Sequence, residues 1–166
     1  MDVLIRPERS EDHQAIHDVT QRAFAPMPYA DGNEQELISR LRDAGVLALS
    51  LVADHDGHII GQVTITPAEA ADGSLGWYAL GPVAVEPAFK HQGIGSAMIS
   101  SAIDWMKTQV AAGCILIGNP AYYGRFGFQP FPQLAPADQP AQFFQILPLG
   151  VAEPPCIIAF HPLFSE

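Results

Sequence analysis

The amino-acid sequence predicts a mixed α/β fold in a single domain over residues 1–166. Three observations support this prediction. Apolar, β-branched runs of strand length alternate with stretches whose apolar residues recur at helical spacing. Hydrophobic residues make up 48% of the chain, which suits a packed core in a protein of this length. A glycine-containing loop joins one predicted strand directly to a predicted helix.

The predicted strands are short runs bounded by proline, glycine or aspartate. Pro7 ends the first strand, and the turn at residues 54–57 contains an Asp-Gly pair that is typical of a β-hairpin. The predicted strands cover residues 3–7, 46–53, 58–66, 77–85, 114–117, 143–147 and 156–160.

The predicted helices follow from apolar residues at a spacing of three and four. They cover residues 12–24, 33–44 and 93–112, with a brief helix at 120–125. The stretch 26–32 separates the first two helices, and Gly113 is expected to end the third. The proline-rich stretch 130–140 is interpreted as a loop within the domain.

The charge balance argues against one class of partner. Eight basic and 18 acidic residues give a net charge of −10, whereas nucleic-acid binding needs clustered lysine and arginine. The first residues form no long apolar run, and no apolar run approaches the length of a membrane span. We therefore expect no signal peptide, no membrane partner and a cytoplasmic location.

The cysteines and histidines do not predict a metal site. Cys114 and Cys156 lack the spacing of metal ligands, so we interpret both as small core residues. His13 and His17 lie four residues apart on a predicted helix, but two ligands alone make a poor site. We interpret them as surface residues.

The segment 83–98 is the most informative part of the chain, because a strand leads through a short loop into an amphipathic helix. The start of a helix attracts anions, since its backbone N–H groups and its dipole both favour negative charge. Gly93 and Gly95 let the backbone approach a ligand closely. Lys90 and His91 add positive charge, so the loop predicts a phosphate site.

The pattern of the loop excludes two familiar phosphate-binding motifs. Gly93-Ile94-Gly95 is not followed by the Lys-Ser/Thr pair of a P-loop. The dinucleotide fingerprint fails as well, because Met98 stands where a third Gly or Ala is required. An ordinary connection between a strand and a helix is the simplest alternative.

The stretch Lys90 to Gly95 resembles the pyrophosphate loop of the GCN5-related N-acetyltransferase (GNAT) superfamily, written Gln/Arg-x-x-Gly-x-Gly/Ala. Lysine in the first position is a departure that keeps the positive charge. The string Leu-Gly-Pro at 80–82 and the string Tyr-Tyr-Gly-Arg-Phe-Gly-Phe at 122–128 resemble a subgroup of predicted N-acetyltransferases in that superfamily. The resemblance implies a central mixed, mostly antiparallel sheet flanked by helices.

The resemblance also implies where coenzyme A would bind. The strand at 83–85 would pair its backbone with the pantetheine amides, and the loop at 90–96 would hold the pyrophosphate. The strand at 114–117 would splay from its neighbour and open a cleft for the thioester. Asn119 and Tyr123 would line the pantetheine path. The residues assigned to the coenzyme are Val83, Ala84, Val85, Lys90, His91, Gln92, Gly93, Ile94, Gly95, Ser96, Asn119 and Tyr122.

Tyr123 matches the position of the general acid of the superfamily, five residues before Phe128. A phenol has an ordinary pKa of about 10, so at neutral pH it carries the proton that the departing thiolate needs. The alternatives are a core tyrosine packed on Phe126 and Phe128, and Tyr122 as the acid. Arg125 would pair with a coenzyme phosphate or form a surface salt bridge.

A general base is not evident. The stretch 77–81 has no carboxylate or imidazole, and Glu86 fits a solvated turn residue better than a base. A water chain or an amine that arrives neutral are alternatives. Glu34 and Glu36 open the second helix, either as helix-start charges or, with Asp31, as a carboxylate wall that favours a cationic amine.

The predicted function is direct transfer of acetyl from acetyl-CoA to the amine of a small molecule or peptide. Two alternatives stay open: an acyltransferase that uses a longer acyl-CoA, and a non-catalytic sensor or structural module that binds coenzyme A. The expected partners are acetyl-CoA and an amine acceptor, with a homodimer as an option.

Overall fold

The computed structural model describes residues 2–28 and 30–165. Tyr29, in the predicted break at 26–32, lies outside the described residues. The strands are β1 Leu4–Pro7, β2 Leu49–His55, β3 His58–Pro67, β4 Glu69–Ala70, β5 Trp77–Val85, β6 Gly113–Ile117, β7 Gln129–Pro130, β8 Phe144–Pro148 and β9 Ile158–Ala159. The α-helices are α1 His13–Phe24, α2 Glu34–Asp43, α3 Ile94–Thr108 and α4 Pro120–Tyr123.

Seven strands form one sheet in the order β1-β2-β3-β5-β6-β8-β7, and β4 pairs with β9 separately. The pairs β1–β2, β2–β3, β6–β8 and β7–β8 are antiparallel, whereas β5 and β6 are parallel. This mixed, mostly antiparallel sheet with flanking helices confirms the predicted fold class. None of the helices in the described part of the chain is long and apolar enough to cross a membrane.

The chain divides into two compact units. The first comprises the residues up to Ile65 together with Gly81–Ile103, and the second comprises Thr66–Leu80 with the residues from Asp104 onward. The strands β3 and β5 and the helix α3 each contribute residues to both units. A single domain over residues 1–166 stays a prediction.

The first unit combines the hairpin β2–β3 with the helices α1 and α2. The hairpin turn contains Asp56 at φ 52° and Gly57 at φ 86°, so the predicted Asp-Gly turn is confirmed. The helices bury one apolar stripe each, and Ile16 of α1 and Ile38 of α2 pack with Val52 of β2. This packing anchors both helices.

The second unit has its core around β5, β6 and β8. Trp77–Ala79 of β5 pair with Gly113–Ile115 of β6. An added Cβ at Gly113 would lie 2.5 Å from the Trp77 ring, so this close approach requires glycine. The buried side chains of this core are Trp77, Ala79, Ile115, Phe144, Ile146 and Ile158.

Several predicted element boundaries are wrong, among them the start of β2, which lies at Leu49 and not at residue 46. The helix α3 ends at Thr108 because Val110 adopts the left-handed conformation (φ 55°), and Gly113 begins β6 instead of ending the helix. The predicted strand at 156–160 shortens to Ile158–Ala159, which pairs with β4 outside the main sheet. The two-residue strands β4 and β7 were not predicted, because so short a strand has no periodicity and is defined by its partner alone.

The carboxylate of Glu8 joins α1, α2 and β2. It accepts two hydrogen bonds of 2.8 Å from Arg42, one from the Ser50 hydroxyl, and lies 3.0 Å from Nε2 of His13. Burial alone would raise the pKa of Glu8, but the hydrogen bonds from Arg42 and Ser50 outweigh burial and lower it. The ion pair therefore contributes stability that depends on the charged carboxylate.

We predict that Glu8→Gln lowers the free energy of unfolding by about 1.5–3 kcal/mol at neutral pH, the range for hydrogen bonds to charged groups. Because the folded pKa lies below the ordinary value of 4.5, the contribution is complete above 4.5 and is lost as the pH falls through the folded pKa. Denaturant unfolding at pH 7 and at several lower pH values measures it. The exposed Glu153→Gln is the control. Equal stability of Glu8→Gln and wild type at pH 7 would contradict this assignment.

Candidate functional site

The loop between β5 and α3 has the backbone shape that an anion site needs. After Val85 a short 3₁₀ turn covers Pro87–Phe89, and the chain then passes through two left-handed residues, His91 at φ 65° and Gly93 at φ 82°. Left-handed residues in a turn can direct successive backbone N–H groups toward one side, which forms an anion-binding concavity. His91, Gln92 and Gly93 are all exposed, so a ligand can reach them.

The start of α3 adds a positive electrostatic end to this loop. The first helical hydrogen bond runs from the Ala97 N–H to the Gly93 carbonyl at 3.0 Å. An α-helix leaves the N–H groups of its first turn without acceptors inside the helix and carries partial positive charge there. The first turn of α3 contains no acidic residue, and Ile94 is 5% exposed, which fixes the end of the loop. Lys90 supplies a cationic side chain at the entry to the loop.

The last part of β5 is held on one side by β3. The carbonyl of Pro82 accepts hydrogen bonds from Nε2 of Gln62 at 3.1 Å and from the Thr64 hydroxyl at 3.4 Å. The N–H of Glu86 donates to the Ile60 carbonyl at 2.8 Å. The register of β5 against β6 ends at Ala79, well before the strand ends. The hydrogen bonds at Pro82 and Glu86 thus fix the strand on both sides of the segment 83–85.

The second unit contains the other predicted residues. Asn119 caps the short helix α4, since its side chain accepts from the Ala121 N–H at 2.9 Å and its carbonyl accepts from the N–H groups of Tyr122 and Tyr123, each at 3.0 Å. The Tyr123 ring is half-buried, with its centroid 5.0 Å from that of Tyr122. It also contacts the ring of Phe128 edge-on, with the centroids 6.0 Å apart, and the ring of Phe126 in a tilted arrangement at 6.3 Å.

Arg125 interacts with the neighbouring residue Tyr122. Its guanidinium lies 4.4 Å from the centre of the Tyr122 ring, and its Nε donates to the Tyr122 carbonyl at 3.0 Å. The side chain is exposed. This stacking orients the guanidinium over the ring face and fixes Tyr122 against the turn.

Glu86 is bound by a residue that the sequence analysis did not single out. Arg22 of α1 donates from Nε to both carboxylate oxygens at 3.0 Å and from Nη2 to Oε2 at 2.8 Å. The hydrogen bond to Glu86 raises the pKa of Arg22. Both oxygens of the carboxylate are engaged, which favours a structural role for Glu86 over that of a base. The two residues lie 64 positions apart, so no local signal reveals the pair.

The acidic residues before α2 have local partners. The Glu34 carboxylate accepts the N–H groups of Asp31 at 2.9 Å and Gly32 at 3.1 Å, so it closes the turn that starts the helix. The Glu36 carboxylate lies 3.8 Å from Nε2 of His17. This geometry favours a helix-start role for Glu34 over a carboxylate wall.

The remaining groups of interest are potential metal ligands and the two cysteines. Among residues 2–28 and 30–165, no group of three or more His, Cys, Asp or Glu side chains could hold a metal ion. Cys114 is fully buried, and burial raises the pKa of its thiol. Cys156 is half-buried and packs against the core of the second unit. Both sites fit the predicted core role, although the burial of Cys156 is partial.

Comparison with known proteins identifies the family of this chain. The model of the acetyltransferase (GNAT) family matches residues 13–128. The uncharacterised N-acetyltransferase YhbS of Escherichia coli K12 is 32% identical over 128 residues, which are 76% of this chain and 74% of that protein. The chain therefore belongs to the GNAT acetyltransferase family.

Two crystal structures are similar over nearly the whole chain. A GNAT family acetyltransferase from Brucella melitensis, in complex with acetyl-CoA, is 37% identical with a TM-score of 0.87, and the match covers 98% of both chains. YhbS from Escherichia coli, in complex with CoA, is 26% identical with a TM-score of 0.88, and the match covers 99% of this chain and 92% of that chain.

We predict that Glu86→Gln keeps the rate of acetyl transfer near that of wild type, because the carboxylate is bound by Arg22. Loss of a true general base slows the chemical step by about 10²–10⁴-fold. Single-turnover kinetics, measured above and below neutral pH, distinguish the two cases. Arg22→Gln is the companion variant, because it leaves the carboxylate in place without its partner. A hundred-fold loss in Glu86→Gln alone would identify Glu86 as the base after all.

Proposed function

We propose that this protein is an N-acetyltransferase that takes its acetyl group from acetyl-CoA and transfers it directly to an amine acceptor. The observation that carries the proposal is the path from β5 through the left-handed residues His91 and Gly93 into the start of α3. The Brucella melitensis protein, at 37% identity, was crystallised with acetyl-CoA. This supports the same donor here.

The diphosphate of the coenzyme would bind at the loop. Its negative charge matches the partial positive charge at the start of α3 and the charge of Lys90, and the ring of His91 offers an N–H donor. Gly93 has open space beside its Cα, so the ligand can approach the backbone there. The residues proposed for this role are Lys90, His91, Gln92, Gly93, Ile94, Gly95 and Ser96.

The pantetheine arm would run along the end of β5. Its two amides can pair with the backbone of Val83, Ala84 and Val85 as an added strand does. The hydrogen bonds on the Pro82 carbonyl and the Glu86 N–H hold this stretch in extended form before any ligand binds. We assign Asn119 and Tyr122 to the same arm.

The chemical step would be attack of the amine nitrogen on the thioester carbonyl. Backbone N–H groups of the strand polarise the carbonyl oxygen, the C–N bond forms, and the C–S bond then breaks. The sulfur leaves as the thiol of coenzyme A after it takes a proton from the Tyr123 hydroxyl. The surplus proton of the amine passes to water, since Arg22 occupies the carboxylate of Glu86, and the solvent returns a proton to the Tyr123 phenolate.

We predict that Gly95→Glu abolishes measurable binding of coenzyme A, because a carboxylate at the start of α3 would occupy the phosphate position and repel the diphosphate. Isothermal titration calorimetry with coenzyme A measures the effect. Ser100→Glu is the matched control, since it adds the same charge at an exposed position further along α3. Wild-type affinity in Gly95→Glu would remove the loop from the binding site.

We predict that Tyr123→Phe slows the chemical step by about 10²–10⁴-fold, the usual loss for a general acid, with little change in coenzyme A affinity. The change removes one hydroxyl and keeps the ring. Single-turnover rates with acetyl-CoA measure it, and Tyr78→Phe, at a half-buried tyrosine packed on Trp105, is the control. If Tyr122→Phe shows the loss and Tyr123→Phe does not, the acid is the neighbouring tyrosine.

A further inference from the structure

The ring of Tyr123 rests on the main chain of Gly118. An added Cβ at Gly118 would lie 2.5 Å from Cε2 and 2.9 Å from Cδ2 of Tyr123, well inside any real contact distance. Phe126, Phe128 and Tyr122 contact the same ring from other directions. The ring therefore cannot retreat from a side chain at Gly118 without displacing these three.

Both polar backbone groups of Gly118 are hydrogen-bonded. Its N–H donates to the Phe143 carbonyl at 3.0 Å. Its carbonyl accepts a hydrogen bond of 2.8 Å from Nε2 of Gln145, a side chain of β8 that is fully buried. The surface under the tyrosine ring is thus held by a buried amide that is 27 residues away in sequence.

Gln145 is an energetically unfavourable residue for a core position. Its Oε1 is buried and has no hydrogen-bond partner among the described residues, which is unfavourable for a polar atom. Its neighbours Phe144 and Ile146 on β8 are apolar and fully buried. An apolar side chain here would leave the Gly118 carbonyl without this hydrogen bond. The same Nε2 also donates to the Phe143 carbonyl at 3.4 Å, which is the group that accepts the Gly118 N–H.

We propose that Gly118 and Gln145 are positioning residues for acetyl transfer. The main chain of Gly118 supports the Tyr123 ring, and Gln145 holds that main chain in place. This inference rests on the proposed role of Tyr123 as the acid. A general acid must lie within hydrogen-bond reach of the atom it protonates, so a displacement of about 1 Å can cost about 10²-fold in rate.

The test is a cycle of variants around Tyr123. Gly118→Ala is expected to lower kcat by about ten-fold or more, with a smaller change in KM for acetyl-CoA and in coenzyme A affinity, because the added Cβ meets the Tyr123 ring directly. In the Tyr123→Phe background, Gly118→Ala is expected to have no further effect, since the hydroxyl that it displaces is already absent. Gly124→Ala is the matched control: an added Cβ there meets no atom within 4 Å, in the same turn.

Gln145→Met provides the second variant, because it keeps the length of the side chain and removes the donor. It is expected to lower kcat without raising KM for acetyl-CoA, and it tests the proposal by itself if thermal unfolding shows that Gly118→Ala does not fold.

Wild-type kcat in both variants would overturn the proposal. Equal slowing by Gly118→Ala with and without the Tyr123 hydroxyl would overturn it too. If Tyr123→Phe is fully active, Tyr123 is not the acid, and the positioning role of Gly118 and Gln145 fails with it. If Tyr123→Phe is slow but Gly118→Ala and Gln145→Met are fully active, only the positioning role fails.

Discussion

The path of β5 into the loop before α3 is the constraint on which the rest of the account depends. The strand begins in register with β6, and its later part is held through the Pro82 carbonyl and the Glu86 N–H by residues of β3. The chain therefore enters the loop in a fixed direction, and α3 starts at a fixed residue. A site whose donors are in place before the ligand arrives binds without the cost of ordering them.

The local charge of the loop opposes the overall charge of the protein. The chain carries −10, yet its proposed ligand is anionic. Charges more than about 8 Å away are largely screened at physiological ionic strength, so the groups beside the loop decide binding. The carboxylate nearest in sequence, Glu86, is neutralised by Arg22, and the first turn of α3 has no acidic residue. The start of the helix can therefore favour an anion in an acidic protein.

Patterns that are local in sequence predicted most of the fold. The strand Trp77–Val85 was predicted with its observed bounds, because an apolar run there ends at a turn. The helices α1 and α2 follow from their apolar spacing and turn residues. The end of α3 could not be predicted, because Val110 in a left-handed conformation replaces the expected glycine stop.

The candidate site could be proposed from the sequence only where a motif is contiguous. The loop at 90–96 and the turn at Asn119–Tyr123 are each a contiguous stretch of sequence. The ion pair of Arg22 with Glu86 and the hydrogen bond from Gln145 to Gly118 join residues that are 64 and 27 positions apart. Gln145 within an apolar run gives no sign of its partner, since the pairing depends on the register of β6 with β8.

Hydrogen exchange of the backbone amides, followed by mass spectrometry with and without acetyl-CoA, tests the central claim most directly. The account predicts that acetyl-CoA slows exchange in the segment from Val83 to Ser96, where the pantetheine and the diphosphate would bind. It predicts no change at the turn before α2, whose N–H groups are already bound by Glu34. Unchanged exchange from Val83 to Ser96 at saturating acetyl-CoA would contradict the account.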